Sequence, residues 1–281
     1  MRLPIQVILY NSTSELEKLL ISYTCADKTS MFDPYFHFVI HDESDVALVD
    51  RKIKEYLKSH CYSVDKNNNI GFGGGHNWIY ERQKYGYSEY FMVLNPDTLF
   101  FPDFFVKLES RLGKSGDNLG IADMRQFPQE HPKKYDFKSL DTNWASGSAM
   151  LVNTEAFETV GGFDEAFFMY FEDVDLSWRI KAKGWSVKYF ADCRIVHSVG
   201  ASTVKNGKIE QSDFANVHNL AGELYITEKF RLENKDRVYW IREESIYRRD
   251  VVKRYEEMRE NIVRFPRKRC MSIEQVRNSR W

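Results

Sequence analysis

The sequence predicts an α/β fold with a mostly parallel central sheet and a helical C-terminal extension. Two observations predict this class. Short apolar runs alternate with helix-favouring segments through the first 204 residues, and several of these runs end in polar residues. From about residue 205 the sequence is rich in charge and favours helices. At 281 residues the chain is long enough to bury a substantial core.

The first predicted unit is a strand followed by a helix. Apolar residues run from Ile5 to Tyr10, and a polar turn follows them. We expect Ser14 to cap the helix, because a serine side chain accepts a hydrogen bond from the open amides of a helix start. The helix itself has leucines at helical spacing, namely Leu16, Leu19 and Leu20.

Two further buried strands are predicted at residues 36–40 and 90–94. The first is followed by HDESD and the second by NPDT. Ligands of parallel α/β sheets bind at the carboxyl ends of the strands. We therefore expect a ligand site where these polar residues meet.

Glycines dominate the segment NNNIGFGGGHN at residues 67–77. Because glycine lets the backbone approach a neighbour closely, we interpret this segment as a ligand-facing loop. A helix from Trp78 to Lys84 is predicted to follow it.

Two later segments complete the predicted sheet. Residues 148–153 form a short strand, and residues 187–199 form one or two strands with a turn at Ala191 and Asp192.

Three carboxylates cluster at the start of a helix predicted between these strands: Glu172, Asp173 and Asp175. Carboxylates stabilise a helix start by capping it and by interacting with its dipole. A functional alternative exists because Asp97 and His197 each end a strand, and Asp173 could converge with them on one cleft. Aspartate and histidine side chains are ligands for divalent cations. The residues alone leave both explanations open.

The charge of the chain is unevenly distributed. Residues 229–281 contain sixteen Lys or Arg against nine Asp or Glu, whereas the whole chain has a net charge of -1. This tail presents either a solvated helix face, a membrane-surface patch or a dimer contact. It lacks the glycine–aromatic signatures of RNA-binding modules, so no nucleic-acid partner is expected.

Cysteine spacing and hydropathy predict a location. Cys25, Cys61, Cys193 and Cys270 lie far apart without metal-finger spacing, which predicts a reducing, cytoplasmic environment. The sequence has no signal-peptide pattern and no run long enough to cross a bilayer, so any membrane contact is expected to be peripheral.

Six motifs occur in one order: YN (10–11), NIGFGGGHN (69–77), LNPDT (94–98), ASGSAMLV (145–152), VGGFDEAFFMYFEDVDLSWRIKAKGW (160–185) and VHSVGAST (196–203). Together they resemble the family 2 inverting glycosyltransferases, especially the rhamnosyltransferase-like branch. Several motifs in one order are more specific than any one of them. The resemblance covers roughly residues 4–204.

The resemblance implies the GT-A architecture, a Rossmann-like α/β/α sandwich. It implies a catalytic domain over residues 1–204, with a nucleotide-sugar half at about 1–100 and an acceptor half at about 101–204. Residues 205–281 then form the basic helical extension, with a boundary near residues 204–207.

On the donor side, the resemblance implies that Asn11 lies near the base of the nucleotide. It implies that Asp42 accepts a hydrogen bond from a pyrimidine, although Asp42 could instead terminate its strand. Further residues match the family's nucleotide loop, namely Asn69, Gly71, Phe72 and Asn77. Phe72 could equally fill the core beneath the loop. LNPDT matches the metal-binding DxD signature, with Asp97 retained and Asn95 replacing the first carboxylate as a ribose-bonding acceptor.

For catalysis, the resemblance implies that Asp173 is the general base that removes the proton of an acceptor hydroxyl during attack. Glu172 holds a substrate sugar or caps the helix. His197 completes a site for Mn or Mg with Asp97, and the cation offsets charge on the leaving diphosphate. Trp144 forms the floor under a sugar ring or fills the core. The turn beside it would contact donor sugar or acceptor through Ser146 and Gly147.

The implied function is a metal-dependent, inverting hexosyl transfer. The donor would be dTDP-rhamnose or a UDP-sugar, and the acceptor a glycan or lipid-linked hydroxyl in bacterial surface polysaccharide synthesis. One alternative is a catalytically silent binding or scaffold subunit, which predicts loss of the base or the metal carboxylate. The other is a sugar nucleotidyltransferase, which predicts a basic, glycine-rich phosphate loop where YNSTSELEK stands. Partners of the basic C-terminal helices would be a membrane surface or a second copy.

Overall fold

The computed structural model describes residues 1–83, 88–131, 133–197, 204–205, 208–209, 212–265 and 276. An eight-stranded sheet has the strand order β3-β2-β1-β4-β7-β6-β8-β5. Its strands are β1 (Arg2–Leu9), β2 (Asp33–Ile40), β3 (Tyr62–Lys66), β4 (Tyr90–Leu94), β5 (Thr98–Phe100), β6 (Leu119–Phe127), β7 (Ala149–Asn153) and β8 (Ser186–His197). A separate antiparallel pair consists of β9 (Val204–Lys205) and β10 (Lys208–Ile209).

The eight-stranded sheet is mostly parallel, as predicted. β3, β2, β1 and β4 run parallel to one another, and β6 runs parallel to β8. Only β7 and β5 run against their neighbours. The carboxyl ends of β1, β2 and β4 therefore meet at one edge, where a ligand site is expected.

Helices cover both faces of the sheet. They are α1 (Thr13–Cys25), α2 (Val46–Lys54), α3 (Gly71–Gln83), α4 (Phe104–Leu112), α5 (Thr154–Val160), α6 (Glu172–Ala182), α7 (Asp213–Lys229), α8 (Lys235–Tyr239) and α9 (Arg248–Arg259). A 3₁₀ turn spans Ser59–Cys61, and a π-helical turn spans Trp240–Glu244. On one face Met92 packs with Leu16 of α1, and on the other Val93 packs with Leu176 of α6. This alternation is the pattern of a strand buried on both sides.

The start of α1 differs from the prediction. The helix begins at Thr13 with Ser12 as its N-cap, and Ser12 makes no side-chain capping hydrogen bond. Ser14 lies inside the first turn and donates to Glu15 at 2.6 Å. The predicted leucine stripe is correct, because its members are fully buried: Leu16, Leu19 and Leu20.

The glycine-rich segment is a helix start, so the predicted loop with a helix from Trp78 is wrong. α3 begins at Gly71, whose φ of +83° belongs to the left-handed region. A Cβ on Gly71 would lie 2.4 Å from the Phe168 carbonyl oxygen, and one on Gly75 would lie 2.6 Å from both Ile8 and His41. The glycines are thus needed for close packing of a helix onto β1 and β2. Lys84, the predicted helix end, lies outside the described residues.

Residues 187–197 form one continuous strand, so the predicted turn at Ala191 and Asp192 is a bulge. Met124 of β6 pairs with Phe190, but the next residue of β6, Arg125, pairs with Arg194. The residues between them are extra on the β8 side, as in a bulge that bends a strand while pairing continues. The last residues of the predicted segment, 198–199, lie outside the described part of the chain.

The helical extension packs onto the α/β domain through one apolar cluster. Trp144 and Trp178 contribute from the α/β part, and Tyr225, Phe230 and Ile241 contribute from the extension. These side chains are almost fully buried. The extension is therefore held by a hydrophobic contact.

A buried ion network crosses the same contact. Lys229 at the end of α7 lies 2.5 Å from Asp175 of α6 and 2.6 Å from Asp164. Asp175 also accepts from Arg179 Nε at 2.7 Å. Burial raises the pKa of Asp164, but the charge of Lys229 and the hydrogen bonds from Lys229, Ala166 and Tyr225 together hold that pKa below its usual range. Asp175, one of the three clustered carboxylates, thus has a structural role.

Within the described residues, no helix is both long and apolar enough to span a bilayer. Among the same residues the thiols of Cys25, Cys61 and Cys193 are unpaired, while Cys270 lies outside them.

We expect Lys229→Met to lower the free energy of unfolding by about 3–5 kcal/mol, because it leaves two largely buried carboxylates without this cation. Urea unfolding followed by circular dichroism measures the change. The control Lys54→Met removes an exposed pair with Asp50 and is expected to cost about 0.5 kcal/mol or less. Equal losses in both variants would refute an anchoring role for Lys229.

Candidate active site

Asn11 and Asp42 meet at the carboxyl ends of β1 and β2. The Asn11 amide donates to the Asp42 carboxylate, and the Ser44 amide donates to the same carboxylate at 2.7 Å. Burial alone would raise the pKa of Asp42, but the hydrogen bonds from Ser44 and Asn11 lower it below its usual value. Asp42 is therefore held ionised, with Asn11 exposed beside it at a positive φ of 52°.

The residues predicted for the nucleotide loop surround the first turn of α3. Asn69 is exposed, and its Oδ1 accepts from the Gly71 amide at 3.1 Å. Phe72 is half-buried, with its ring 4.5 Å from that of His76. Asn77 is buried, and its amide both donates to and accepts from the backbone of Phe163. In this structure Asn77 thus ties α3 to the segment before α6, and Asn69 faces solvent.

A tight turn after β4 brings Asn95, Asp97 and His197 together. Thr98 Oγ1 donates to the Asn95 carbonyl at 2.6 Å and closes the turn. β5 pairs with β8, which sets Thr98 opposite His197. Asp97 Oδ1 then lies 3.4 Å from His197 Nε2, and Asn95 Nδ2 lies 3.5 Å from the same nitrogen.

The Asp97–His197 pair has the donor chemistry of a divalent-cation site. His197 Nδ1 lies 3.0 Å from Gln126 Oε1, an acceptor, so the proton of the neutral ring belongs on Nδ1. Nε2 is then a lone-pair donor facing Asp97 Oδ1, a buried oxygen that lacks a hydrogen-bond partner among the described residues. A cation between a carboxylate oxygen and an imidazole nitrogen would relieve this contact. No group of three or more His, Cys, Asp or Glu side chains suited to a metal occurs in the described part of the chain.

Asp173 lies at the start of α6, and its two carboxylate oxygens have different backbone donors. Oδ1 accepts from the Val174 amide at 2.8 Å, and Oδ2 accepts from the Gly147 amide at 3.1 Å. Glu172 and Asp173 are 7% and 5% exposed, respectively. The preceding residue, Phe171, has a φ of +69°, so the chain enters the helix through a strained turn. The base candidate is thus held in a fixed orientation.

The sequence did not predict a buried ion pair that lies near Asp173, the candidate general base. Lys133 contacts Asp123 Oδ2, and Asp123 Oδ1 accepts from the Ser146 amide at 2.8 Å. Burial raises the pKa of Asp123; Lys133 lowers it in part, and the nearby charge of Asp173 raises it further. The available signal was a single carboxylate inside the apolar strand GIADM, but nothing in the sequence pairs it with a loop lysine.

Trp144 is 1% exposed, so the indole has no open face in this structure. Lys133 Nζ lies 4.1 Å from the centre of its ring, and the His131 ring lies 5.3 Å away. Ser146 and Gly147 follow it in the turn that contacts Asp123 and Asp173. The structure therefore brings Gly147 into contact with Asp173, with Ser146 beside it, and buries Trp144.

The turn before β7 joins the base to the Asp97 region. The Asn95 amide donates to the Ser148 carbonyl at 2.8 Å. Ser148 directly follows Gly147, which holds Asp173. The segments that carry Asp97 and Asp173 are therefore connected through adjacent residues next to the antiparallel pair of β4 and β7.

A cleft of about 310 Å³ opens beside Lys133. It is lined by Arg125, Glu130, His131, Lys133, Tyr135, Tyr189 and Ala191. The rings of Tyr135 and Tyr189 lie 4.8 Å apart. The cleft thus combines aromatic faces with polar side chains. It lies next to the Lys133–Asp123 ion pair, which contacts the turn that contains Ser146 and Gly147. A larger groove, between α7 and α9, is remote from these residues.

Sequence comparison finds related glycosyltransferases. No protein-family model matches the chain. Rhamnosyltransferase WbbL of Escherichia coli K12 is 24% identical over 198 residues, covering 59% of this chain and 74% of the relative. The N-acetylglucosaminyl-diphospho-decaprenol L-rhamnosyltransferase of Mycobacterium tuberculosis is 48% identical over 60 residues, 21% of this chain and 20% of the relative.

Structural comparison agrees on the fold. The crystal structure of GalNAc-T7 with UDP, GalNAc and Mn²⁺ matches with a TM-score of 0.65 at 14% identity. The match covers 93% of this chain and 56% of that one. The chain therefore has the GT-A fold of these glycosyltransferase structures, and its sequence is homologous at modest identity to rhamnosyltransferases.

Proposed function

We propose that the protein transfers a sugar from a nucleotide-diphosphate donor to a hydroxyl of a glycan or lipid-linked acceptor, with inversion at the anomeric carbon. One observation carries this proposal. Asp173 is fixed by the Gly147 amide, and the same turn is hydrogen-bonded to the residues that precede Asp97. In this proposal, the turn at residues 145–148 positions the general base, Asp173, relative to the cation-binding pair, Asp97 and His197. A single displacement at a sugar carbon requires such positioning.

Asp173 acts as the general base in this proposal. An acceptor hydroxyl is a weak nucleophile, and a carboxylate that removes its proton during attack lowers the barrier. The two backbone donors keep the carboxylate oriented before substrate binds. Glu172, its buried neighbour, is proposed to contact the sugar.

Asp97 and His197 would hold the divalent cation, with Gln126 orienting the imidazole. When bound, Mn²⁺ or Mg²⁺ neutralises charge on the leaving diphosphate. Two protein ligands suit a cation whose remaining ligands are phosphate oxygens and water. The solved GalNAc-T7 structure contains Mn²⁺ together with UDP, which is consistent with this assignment.

The donor is proposed to bind along the carboxyl edge of β1, β2 and β4. The ionised Asp42 carboxylate would accept a hydrogen bond from an N–H of the pyrimidine. Beside it, Asn11 and Asn69 have exposed polar side chains. Asn95 is proposed to bond the ribose. Similarity to rhamnosyltransferases favours dTDP-rhamnose as donor, with a UDP-sugar as the alternative, and surface polysaccharide synthesis as the process.

The acceptor is proposed to enter through the cleft beside Lys133. Sugar rings pack their apolar faces on aromatic rings, and Tyr135 and Tyr189 provide such faces. His131 and Arg125 supply polar groups at the cleft wall. The Lys133–Asp123 pair links this cleft to Ser146 and so to the base.

The alternative is a silent glycosyltransferase-like scaffold. It predicts that residues at the site have lost the ability to ionise or to bind a cation. The presence of Asp173, held by the Gly147 amide, and of the Asp97–His197 pair favours the enzyme.

The direct test is Asp173→Asn. Without a base, we expect transfer of sugar from dTDP-rhamnose or UDP-sugars to fall about 10²–10⁴-fold, while nucleotide binding is kept. Product formation by mass spectrometry measures it across a panel of octyl glycosides. The control Asp117→Asn changes an exposed carboxylate at the opposite end of the sheet. Retained transfer in Asp173→Asn, or no transfer by the wild type with any donor, would contradict the proposal.

Cation-dependent nucleotide binding is tested by thermal shift. We expect UDP or dTDP with Mn²⁺ to stabilise the wild type by about 2.7 kcal/mol at a hundredfold excess over Kd. Asp97→Ala is expected to abolish the Mn²⁺-dependent part, whereas Asp117→Ala keeps it. An unchanged shift in Asp97→Ala would remove Asp97 from the cation site.

The acceptor cleft is tested with Tyr135→Ala. Loss of one stacking ring is expected to raise the acceptor KM about 5–10-fold. Hydrolysis of the nucleotide sugar in the absence of acceptor is expected to be unchanged. Tyr239→Ala, an equally conservative loss of an exposed ring, is the control. A rise in donor KM instead would place the donor sugar, and not the acceptor, in this cleft.

A further inference from the structure

Several basic residues of the extension form ion pairs within the described part of the chain. Arg237 pairs with Glu223 at 3.0 Å, and Arg254 pairs with Glu257 at 3.3 Å. Arg259 lies 3.1 Å from Glu228. The basic character seen in the sequence is therefore not spread evenly over the surface.

An arginine-lined groove of about 630 Å³ lies between α7, α8 and α9. Its charged lining consists of Arg231, Arg242, Arg259 and Arg264 with one carboxylate, Glu228. The groove is open to solvent along one side. It is separated from Asp173 by the apolar cluster around Trp178.

Glu228, the carboxylate among the described residues of the groove, already accepts several hydrogen bonds. Glu228 accepts from Tyr255, Arg259 and Arg264. Burial raises its pKa, but these donors together hold the pKa below its usual range. Glu228 is thus ionised and has no capacity for further cations.

Arg231 and Arg242 remain available. Within the described residues, neither guanidinium group has a hydrogen bond or ion pair, and that of Arg242 lies 5.7 Å from the centre of the Tyr255 ring. Arg231 is exposed and Arg242 is half-buried at the groove wall. Their guanidinium groups carry a fixed positive charge and donate in a fork that matches phosphate oxygens.

The groove also has apolar walls. Leu224, Leu232 and Val238 line it. The chain that continues from Val238 exposes Tyr239 by 60% and Ile246 by 84%. A small phosphate compound gains little from contact with these apolar side chains. A phospholipid at a bilayer surface contacts both the guanidinium groups and the apolar side chains.

We propose that this groove binds the phosphate of an anionic phospholipid and docks the protein on a membrane surface. Arg231 and Arg242 contact the headgroup phosphate, while Tyr239 and Ile246 enter the headgroup layer. The proposal goes beyond sugar transfer, since it assigns a second site remote from the base.

The test compares two double variants of equal charge. Arg231→Gln/Arg242→Gln removes the free guanidinium groups of the groove. Arg248→Gln/Arg249→Gln removes two exposed arginines at the start of α9, outside the groove. Both are checked for folding by circular dichroism. Binding to phosphatidylcholine vesicles with and without phosphatidylglycerol is measured by flotation, and binding to inorganic pyrophosphate by calorimetry.

We expect the wild type to bind the phosphatidylglycerol vesicles and the groove variant to bind them about 30-fold more weakly, with the α9 variant close to the wild type. Equally weak vesicle binding by both variants would mean that the protein is attracted by the positive charge of its extension as a whole, and it would refute a specific site in the groove. Binding of pyrophosphate without vesicle binding would overturn the lipid assignment, as would absence of binding to either probe. Since flotation needs no donor or acceptor, failure of the transferase proposal appears only in the Asp173→Asn assay.

Discussion

The geometry of the site depends on the hydrogen bonds of residues 145–148. The Ala145 amide donates to Ser177 Oγ at 3.1 Å, the Ser146 amide to Asp123 and the Gly147 amide to Asp173. The Ser148 carbonyl accepts from Asn95. Four consecutive residues therefore join β4, β6 and α6. Because buried backbone groups must be paired, moving any one of these elements would leave a polar group without a partner.

Close backbone packing supports this turn from below. A Cβ on Gly147 would lie 3.0 Å from the Phe72 ring, and one on Gly73 would lie 2.9 Å from Phe163. Asn77 adds hydrogen bonds from α3 to the Phe163 backbone. The glycines matter for packing as well as for backbone conformation. Because they have no side chain, α3 can lie close to the segment that carries Asp173.

The extension contributes to the same arrangement. Lys229 neutralises Asp175 on α6, two residues after the base candidate. Trp178 of α6 packs its ring 5.1 Å from that of Phe230. The helix that presents Asp173 is therefore fixed on one side by the sheet and on the other by the extension.

The sequence by itself determined the sheet class, the apolar strands and the order of the site residues. Strand periodicity and the spacing of motifs are local properties, so Asp97, Asp173 and His197 could be assigned to element ends before any contact was known. The glycine segment was misassigned, because glycine's low intrinsic preference for helices is overcome by a tertiary contact that only Gly71 and Gly75 permit. The Asp123–Lys133 pair, the burial of Trp144 and the pairing of Lys229 with Asp164 and Asp175 depended on residues distant in the sequence. Only the tertiary structure could decide them, because a pairwise contact leaves no periodic trace in the sequence.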